Sequence, residues 1–283
     1  MKNLITVNKL ASTPGMWERK DVIPKGAFYE VVLPTDNFGI LDSSNENVSR
    51  QVLKIAMNIA IRHFILGDEL YLNDLIAGAK NMDKACSIGI VRESEEDVGT
   101  RLLQYALFLL QGSAQKDIDS LNDDDFNGLA GATFLTLFRD NPIVDANLEP
   151  HDFNDVTKQH LKIMLKRCKS FFDAEGFPIA SNYIVLNKNK NVYNEGDFLG
   201  EDYVVDVRYG KKNQIDIPKE RRKILINYIL GCDEKQYADF QNTQALVLFS
   251  PRTNQAFEVK IEDIPTDLIE RTRIIAQNYK NSQ

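Results

Sequence analysis

The chain has 283 residues, 43% of them hydrophobic and 27% charged, with a net charge of −7. That is enough for a sizeable core in one large domain or two, and the composition is that of a globular chain with no internal repeat or low-complexity tract. The longest apolar stretch, Tyr105 to Leu110 with Leu102 and Leu103 before it, is far short of the roughly 20 residues of a membrane span, and the N-terminus lacks the apolar run of a signal peptide.

Cys86, Cys168 and Cys232 are far apart and form no Cys-x-x-Cys pair, so neither a disulfide framework nor a structural zinc site is expected. A cytoplasmic protein, or one assembled into a particle in the cytoplasm, fits these features. Charge is unevenly spread. Residues 1–155 carry 14 Lys/Arg against 24 Asp/Glu, residues 156–223 carry 14 against 9, and residues 224–283 carry 6 against 8. An acidic half joined to a basic middle fits a nucleic-acid face, complementary subunit patches, or two solvated faces.

In chain order, residues 1–45 read as an extended arm with one or two strands, at Leu4–Val7 and Ala27–Leu33, punctuated by "STPG" and Pro24-Lys25-Gly26. Trp17 lies in this arm and is a candidate anchor for a partner, or a local core contact. Val48–Leu66 has apolar residues at helical spacing and ends at Gly67. A second helix follows near Tyr71–Lys84, then a short apolar run at Cys86–Val91. The acidic start at Ser94–Asp97 opens a helix to Leu110 that is apolar on nearly all sides, which predicts a central place in the core. Another helix is expected over Phe126–Arg139.

"DNPIVDANLEPHD", from Asp140 to Asp152, has two prolines and no period, and predicts a boundary between a helical domain over 46–145 and an α+β domain over 152–283. Val156–Phe172 reads as a basic helix. Strands are expected at Asn182–Leu186 and Tyr203–Tyr209, a helix at Lys219–Leu230, a hairpin at Ala245–Ser250 and Gln255–Ile261, and a final helix at Thr266–Tyr279. The fold class is therefore α+β: an extended arm, a mainly helical N-terminal half, and a mixed C-terminal half with a small antiparallel sheet.

Three stretches suggest chemistry. Asp123, Asp125, Asn127 and Gly128 match the opening of an EF-hand loop, but the twelfth position is Phe134 rather than a bidentate Glu, so an acidic helix cap is the simpler reading. On the basic helix, Lys158, Lys162 and Lys166 form one stripe at i, i+4 and i+8, with Arg167 and Lys169 beside it. Such a patch would hold phosphates, or a protein partner. Lys188, Lys190, Lys211, Lys212, Arg221, Arg222 and Lys223 are placed to extend it if the fold brings them round, and Tyr183, Tyr193 and Tyr203 would stack on bases if exposed. His63, His151 and His160 lack a second ligand at metal spacing.

The third stretch is the hairpin "ALVLFSPRTNQAFEVKIED", with Glu258 and Lys260 on its second strand. This resembles the PD-(D/E)xK nucleases. There a carboxylate from a preceding strand and the acid of the acid-x-Lys strand hold a divalent metal, while the Lys positions the attacking water. The resemblance covers residues 244–263 and implies catalytic roles for Asp239, Glu258 and Lys260, although Gln244 stands where the first carboxylate belongs. Period-2 alternation also accounts for Glu258 and Lys260 as the wet side of a strand whose Phe257 and Val259 face inward. No P-loop, Gly-x-Ser-x-Gly or Gly-x-Gly-x-x-Gly occurs.

With no complete catalytic motif, the expected role is a non-enzymatic structural or adaptor subunit of a large assembly, such as a virion or phage connector. It would be oligomeric with other protein subunits, with no cofactor, no metal and no membrane partner. A metal-dependent nuclease and a nucleic-acid-binding module built on the helix at 156–172 are the alternatives.

Overall fold

The computed structural model describes residues 4–87, 97–113, 116–140, 152–210, 214–233 and 238–279. The fold is α+β, and the chain forms two compact units. One is residues 41–169. The other joins residues 1–40 to residues 170–283. The N-terminal arm therefore belongs to the same unit as the C-terminal residues, where the sequence suggested a separate segment.

The first unit is helical. Helix α2 (Arg50–Ala60) is capped by the Ser49 hydroxyl, which accepts from the Val52 N–H. It widens into a π-helical turn over Ile61–Leu66 and ends where Gly67 takes a left-handed φ of 64°. Helices α3 (Tyr71–Ser87), α4 (Val98–Gln111), α5 (Asp123–Asp140) and the first part of α6 (Asp155–Glu175) complete it. Cys86 is the penultimate residue of α3, so the run expected as a strand begins in helix; residues 88–91, and residues 94–96 of the acidic start, lie outside the described residues.

The central helix is α5, not α4. Leu129, Ala132, Leu135 and Phe138 are buried, whereas on α4 only Gly99, Ala106 and Leu110 are. Phe108 of α4 is 74% exposed and Tyr105 52%. The reason is that α4 packs through small residues. A Cβ at Gly131 or Gly128 of α5 would meet Ala106 or Leu109 of α4, and one at Gly99 would meet the Ala79 carbonyl. Such close backbone approach needs no large side chain at the seam, so the larger ones are left at its margins and outside.

In the second unit, β1 (Ile5–Thr6) leads into the short α1 (Val7–Leu10), and β2 (Tyr29–Val31) follows. After α6 come β3 (Ala180–Ser181), β4 (Ile184–Leu186), β5 (Val192–Glu195), β6 (Phe198–Leu199) and β7 (Tyr203–Val207). Helix α7 (Pro218–Asp233) then crosses to β8 (Ala245–Ser250), which turns into β9 (Gln255–Lys260) ahead of α8 (Thr266–Asn278). The main sheet has six strands in the order β2-β9-β8-β7-β6-β3, and a smaller one has the order β1-β5-β4. Within the main sheet β7 and β8 are parallel, as a helical crossover requires, and the other pairs are antiparallel. Every residue of β7 and β8 is buried.

The arm is held by side chains of α7. Arg222 donates to the carbonyls of Asp21 and Ala11 and lies 5.0 Å from the centre of the Trp17 ring. Trp17 Nε1–H donates to Leu10 O at 2.8 Å. The expected partner anchor is thus engaged by its own chain.

A Cβ at Gly78 of α3 would stand 1.9 Å from Leu135 O of α5. Gly78→Ala should therefore force the two helices apart and lower unfolding free energy by about 1–3 kcal/mol, read in urea melts.

Candidate functional site

The residues suggested by the hairpin do not form one centre. Glu258 accepts a hydrogen bond from the Tyr29 hydroxyl across the β2–β9 pair. Lys260 stands 3.9 Å from Glu262, and both line a cleft with Glu258. Asp239, in a 3₁₀ turn over Ala238–Asn242, lines the adjoining cleft instead. No group of three or more His, Cys, Asp or Glu among the described residues is arranged to hold a metal ion.

The basic stripe is engaged inside its own unit. Lys158 Nζ donates to Asp123 at 2.7 Å, Lys166 pairs with Asp119, and Lys162 lies 5.9 Å from the Phe126 ring centre. Arg167 is buried and Lys169 exposed. Tyr183 and Tyr203 are buried, which withdraws them from stacking on bases, and Lys211 and Lys212 lie outside the described residues. The EF-hand-like opening is helical. Asn122 and Asp125 exchange side-chain-to-backbone hydrogen bonds at 2.7 and 3.2 Å, a capping box that begins α5. His63 is packed between Tyr71 OH, Ser113 Oγ and Leu110 O, burial pushing its pKa down; His160 pairs with Glu46, and His151 lies outside the described residues.

A different set of groups does converge, between the main sheet and α7. Asp197 precedes β6, and its Oδ2 accepts from the Val207 N–H at 2.8 Å. Asp206, on β7, is 1% exposed, and Asp197 4%. The two carboxyl groups share a hydrogen bond. Lys223 of α7 donates to both oxygens of Asp206, at 3.0 and 3.2 Å. Arg208 reaches Asp206 with Nη2 at 2.6 Å and Glu220 with Nε at 2.8 Å. One turn beyond Lys223, the Asn227 carboxamide accepts from Asn194 at 3.1 Å. Gly196 is required beside Asp197, because a Cβ there would stand 1.9 Å from the Tyr183 ring. That contact seats the strand start against a fully buried tyrosine.

Burial is the largest influence on Asp206 and pushes its pKa up. Arg208 and Lys223 oppose it, the Asp197 charge and hydrogen bond reinforce it, and the result is about 6. For Arg208, burial works against the charged form, but Asp206, Glu220 and Asp197 more than offset it and hold the guanidinium charged. Tyr183 is pushed upward, first by burial and then by Asp206 and Asp197. The arrangement is thus two neighbouring carboxyl groups, one with its pKa raised to about 6, an ammonium on that one and a guanidinium fork at the rim.

The signal for this cluster was present but faint: Asp206 is the one charged residue in "YVVDV", a stretch otherwise apolar, and Arg208 follows at i+2. No protein family, no curated protein and no solved structure matches the chain.

With an ordinary carboxyl pKa near 3.8 in the unfolded chain and about 6 in the folded one, the folded state binds the extra proton between those values. The contribution of this pair to stability therefore falls as pH rises from about 4 to about 6. Asp197→Asn removes the like charge and should shrink that slope, measured by denaturant titrations at pH 4.5 and 6.5.

Proposed function

We propose that this protein is a metal-dependent nuclease of the PD-(D/E)xK kind, working through Asp197 and Asp206 rather than through the hairpin residues. The observation that carries the reading is the carboxyl pair itself: one acid ahead of β6 and one within β7, hydrogen-bonded, with the Lys223 ammonium 3.0 Å from the second. This supplies the donor types the chemistry needs: a carboxylate in the bend ahead of β6, an acid-x-base at the end of β7, and a lysine.

The fit to a hard divalent cation rests on two points. All the donors are carboxylate oxygens, and Mg²⁺ is commonly held by one or two carboxylates, with waters and substrate phosphate oxygens filling the remaining positions. The second carboxyl, Asp197, also places a like charge beside Asp206, and a cation between them would offset that repulsion. Bound there, the ion would polarise a phosphate oxygen and lower the pKa of a water.

The remaining roles fall to the chain. Arg208 occupies the acid-x-base position and stays charged at physiological pH, so the role of orienting the attacking water would fall to the Lys223 ammonium held on Asp206. Arg208, whose side chain is 12% exposed and whose Nε and Nη2 hold Glu220 and Asp206, would meet a phosphate oxygen from that position.

A second reading keeps the non-enzymatic adaptor subunit of a large assembly, in the cytoplasm or in a particle built there. It is favoured by the outward-facing Tyr105 and Phe108 of α4, large apolar groups of the type that anchors protein interfaces. No helix among the described residues is long and apolar enough to cross a membrane. Sedimentation of the purified chain as a large species, shifted to monomer by Phe108→Ser, would favour the adaptor.

For the nuclease, cleavage of labelled DNA and RNA with Mg²⁺ or Mn²⁺ is the test. Asp197→Asn keeps an acceptor for the Val207 N–H, so it should melt within a few degrees of the parent yet lose roughly 100-fold or more in cleavage rate. Cleavage in the parent should rise about tenfold per pH unit below pH 6 and level off above it, as the Asp206 proton leaves. An Asp197→Asn protein that cleaves like the parent overturns the assignment.

A further inference from the structure

Two adjoining clefts run along one end of the main sheet, where β7 begins, β8 begins and β9 ends. Tyr203, Ala245 and Lys260 are register neighbours there. The larger cleft encloses about 1230 Å³ and the smaller about 450 Å³; they share Asp202, Thr243 and Gln244. Together they carry Glu175, Glu201, Asp202, Asp239, Glu258 and Glu262, against Lys260 as the one basic residue in either lining. The walls are tied by backbone bonds from Ala245 N to Asp202 O and from Ile261 N to Gln244 O, at 3.1 and 2.8 Å.

Lys260, 3.9 Å from Glu262, offsets only part of this negative charge. Glu175 has its pKa raised, by burial first and then by Glu258 and Asp202. Thr243, 7% exposed, lines both clefts, and its hydroxyl has no hydrogen-bond partner. A buried hydroxyl without a partner is uncommon and points to a group that completes it.

We propose that this groove binds a Lys/Arg-rich segment of a partner protein. The carboxylates are strung along the walls and no three converge on a point, which suits several separate cations on one chain better than a single ion. Phe177 and Ile179, about half exposed in the wall of the larger cleft, offer apolar surface to the methylene stems of such side chains. A phosphate backbone is repelled here. The groove also lies about 10 Å along β7 from Asp206, at the estimated rise of a strand. The inference does not rest on the nuclease reading.

The test is fluorescence anisotropy with a labelled ten-residue peptide of alternating Arg/Lys and Gly, with spermine as competitor. Binding should weaken at least tenfold between low and moderate salt, and at least tenfold in the combined variant Glu175→Gln, Asp202→Asn, Glu258→Gln with the melting temperature held. Thr243→Val should weaken it several-fold, and Asp197→Asn should leave it unchanged. If the combined variant does not fold, Glu201→Lys with Asp239→Lys, both at exposed positions, gives the same readout. No peptide binding at low salt, undiminished binding in these charge variants, or binding of spermine alone overturns the proposal.

Discussion

Asp206 sits inside a strand whose every other residue is apolar, beneath a helix, almost out of reach of water. An isolated charge there would be costly by several kcal/mol. Its neighbours answer that constraint. Lys223 comes from α7, Arg208 from the strand end and Asp197 from the bend ahead of β6, while Glu220 holds the guanidinium that reaches across. These groups determine how α7 lies on the sheet, because only one rotation of the helix brings Lys223 to Asp206 and Arg222 to the Trp17 arm at once. A well-packed apolar patch of similar volume would hold a sheet and helix together about as well. Retention of so much charge is therefore better explained by use than by stability.

The helical unit follows another rule. Its seams are made by Gly78, Gly99, Gly128 and Gly131, which let backbones approach until carbonyls touch the neighbouring helix. Large side chains then pack around the seam rather than in it, and α5 takes the centre. The lysines of α6 bridge to the acidic start of α5 and to Asp119, so their charge is partly neutralised before any ligand arrives.

Much of the fold was legible from periodicity. The helices at 50–60, 155–175, 218–233 and 266–278 and the hairpin at 245–260 follow directly from apolar spacing and turn residues. What periodicity does not show is which neighbour a face meets. The all-round apolar α4 was expected at the centre because nothing in its own sequence reports the glycines of α5. The carboxyl pair was missed for the same reason: Asp206 and Lys223 are 17 residues apart, and Asp197 meets Val207 only through strand pairing. Glu258 and Lys260, by contrast, looked like a motif because they are close in sequence, and they turn out to line the wall of an acidic groove.

The pairing of β2 with β9 has a consequence for how the polypeptide matures on the ribosome. Tyr29 and Glu258 are 229 residues apart. At translation speeds of about 5–20 residues per second, β2 waits roughly 10–50 s for its neighbour to emerge. Residues 41–169, whose contacts are all nearer in sequence, have time to close first. The early strand, with exposed Val32 beside it, keeps an unpaired edge through that interval.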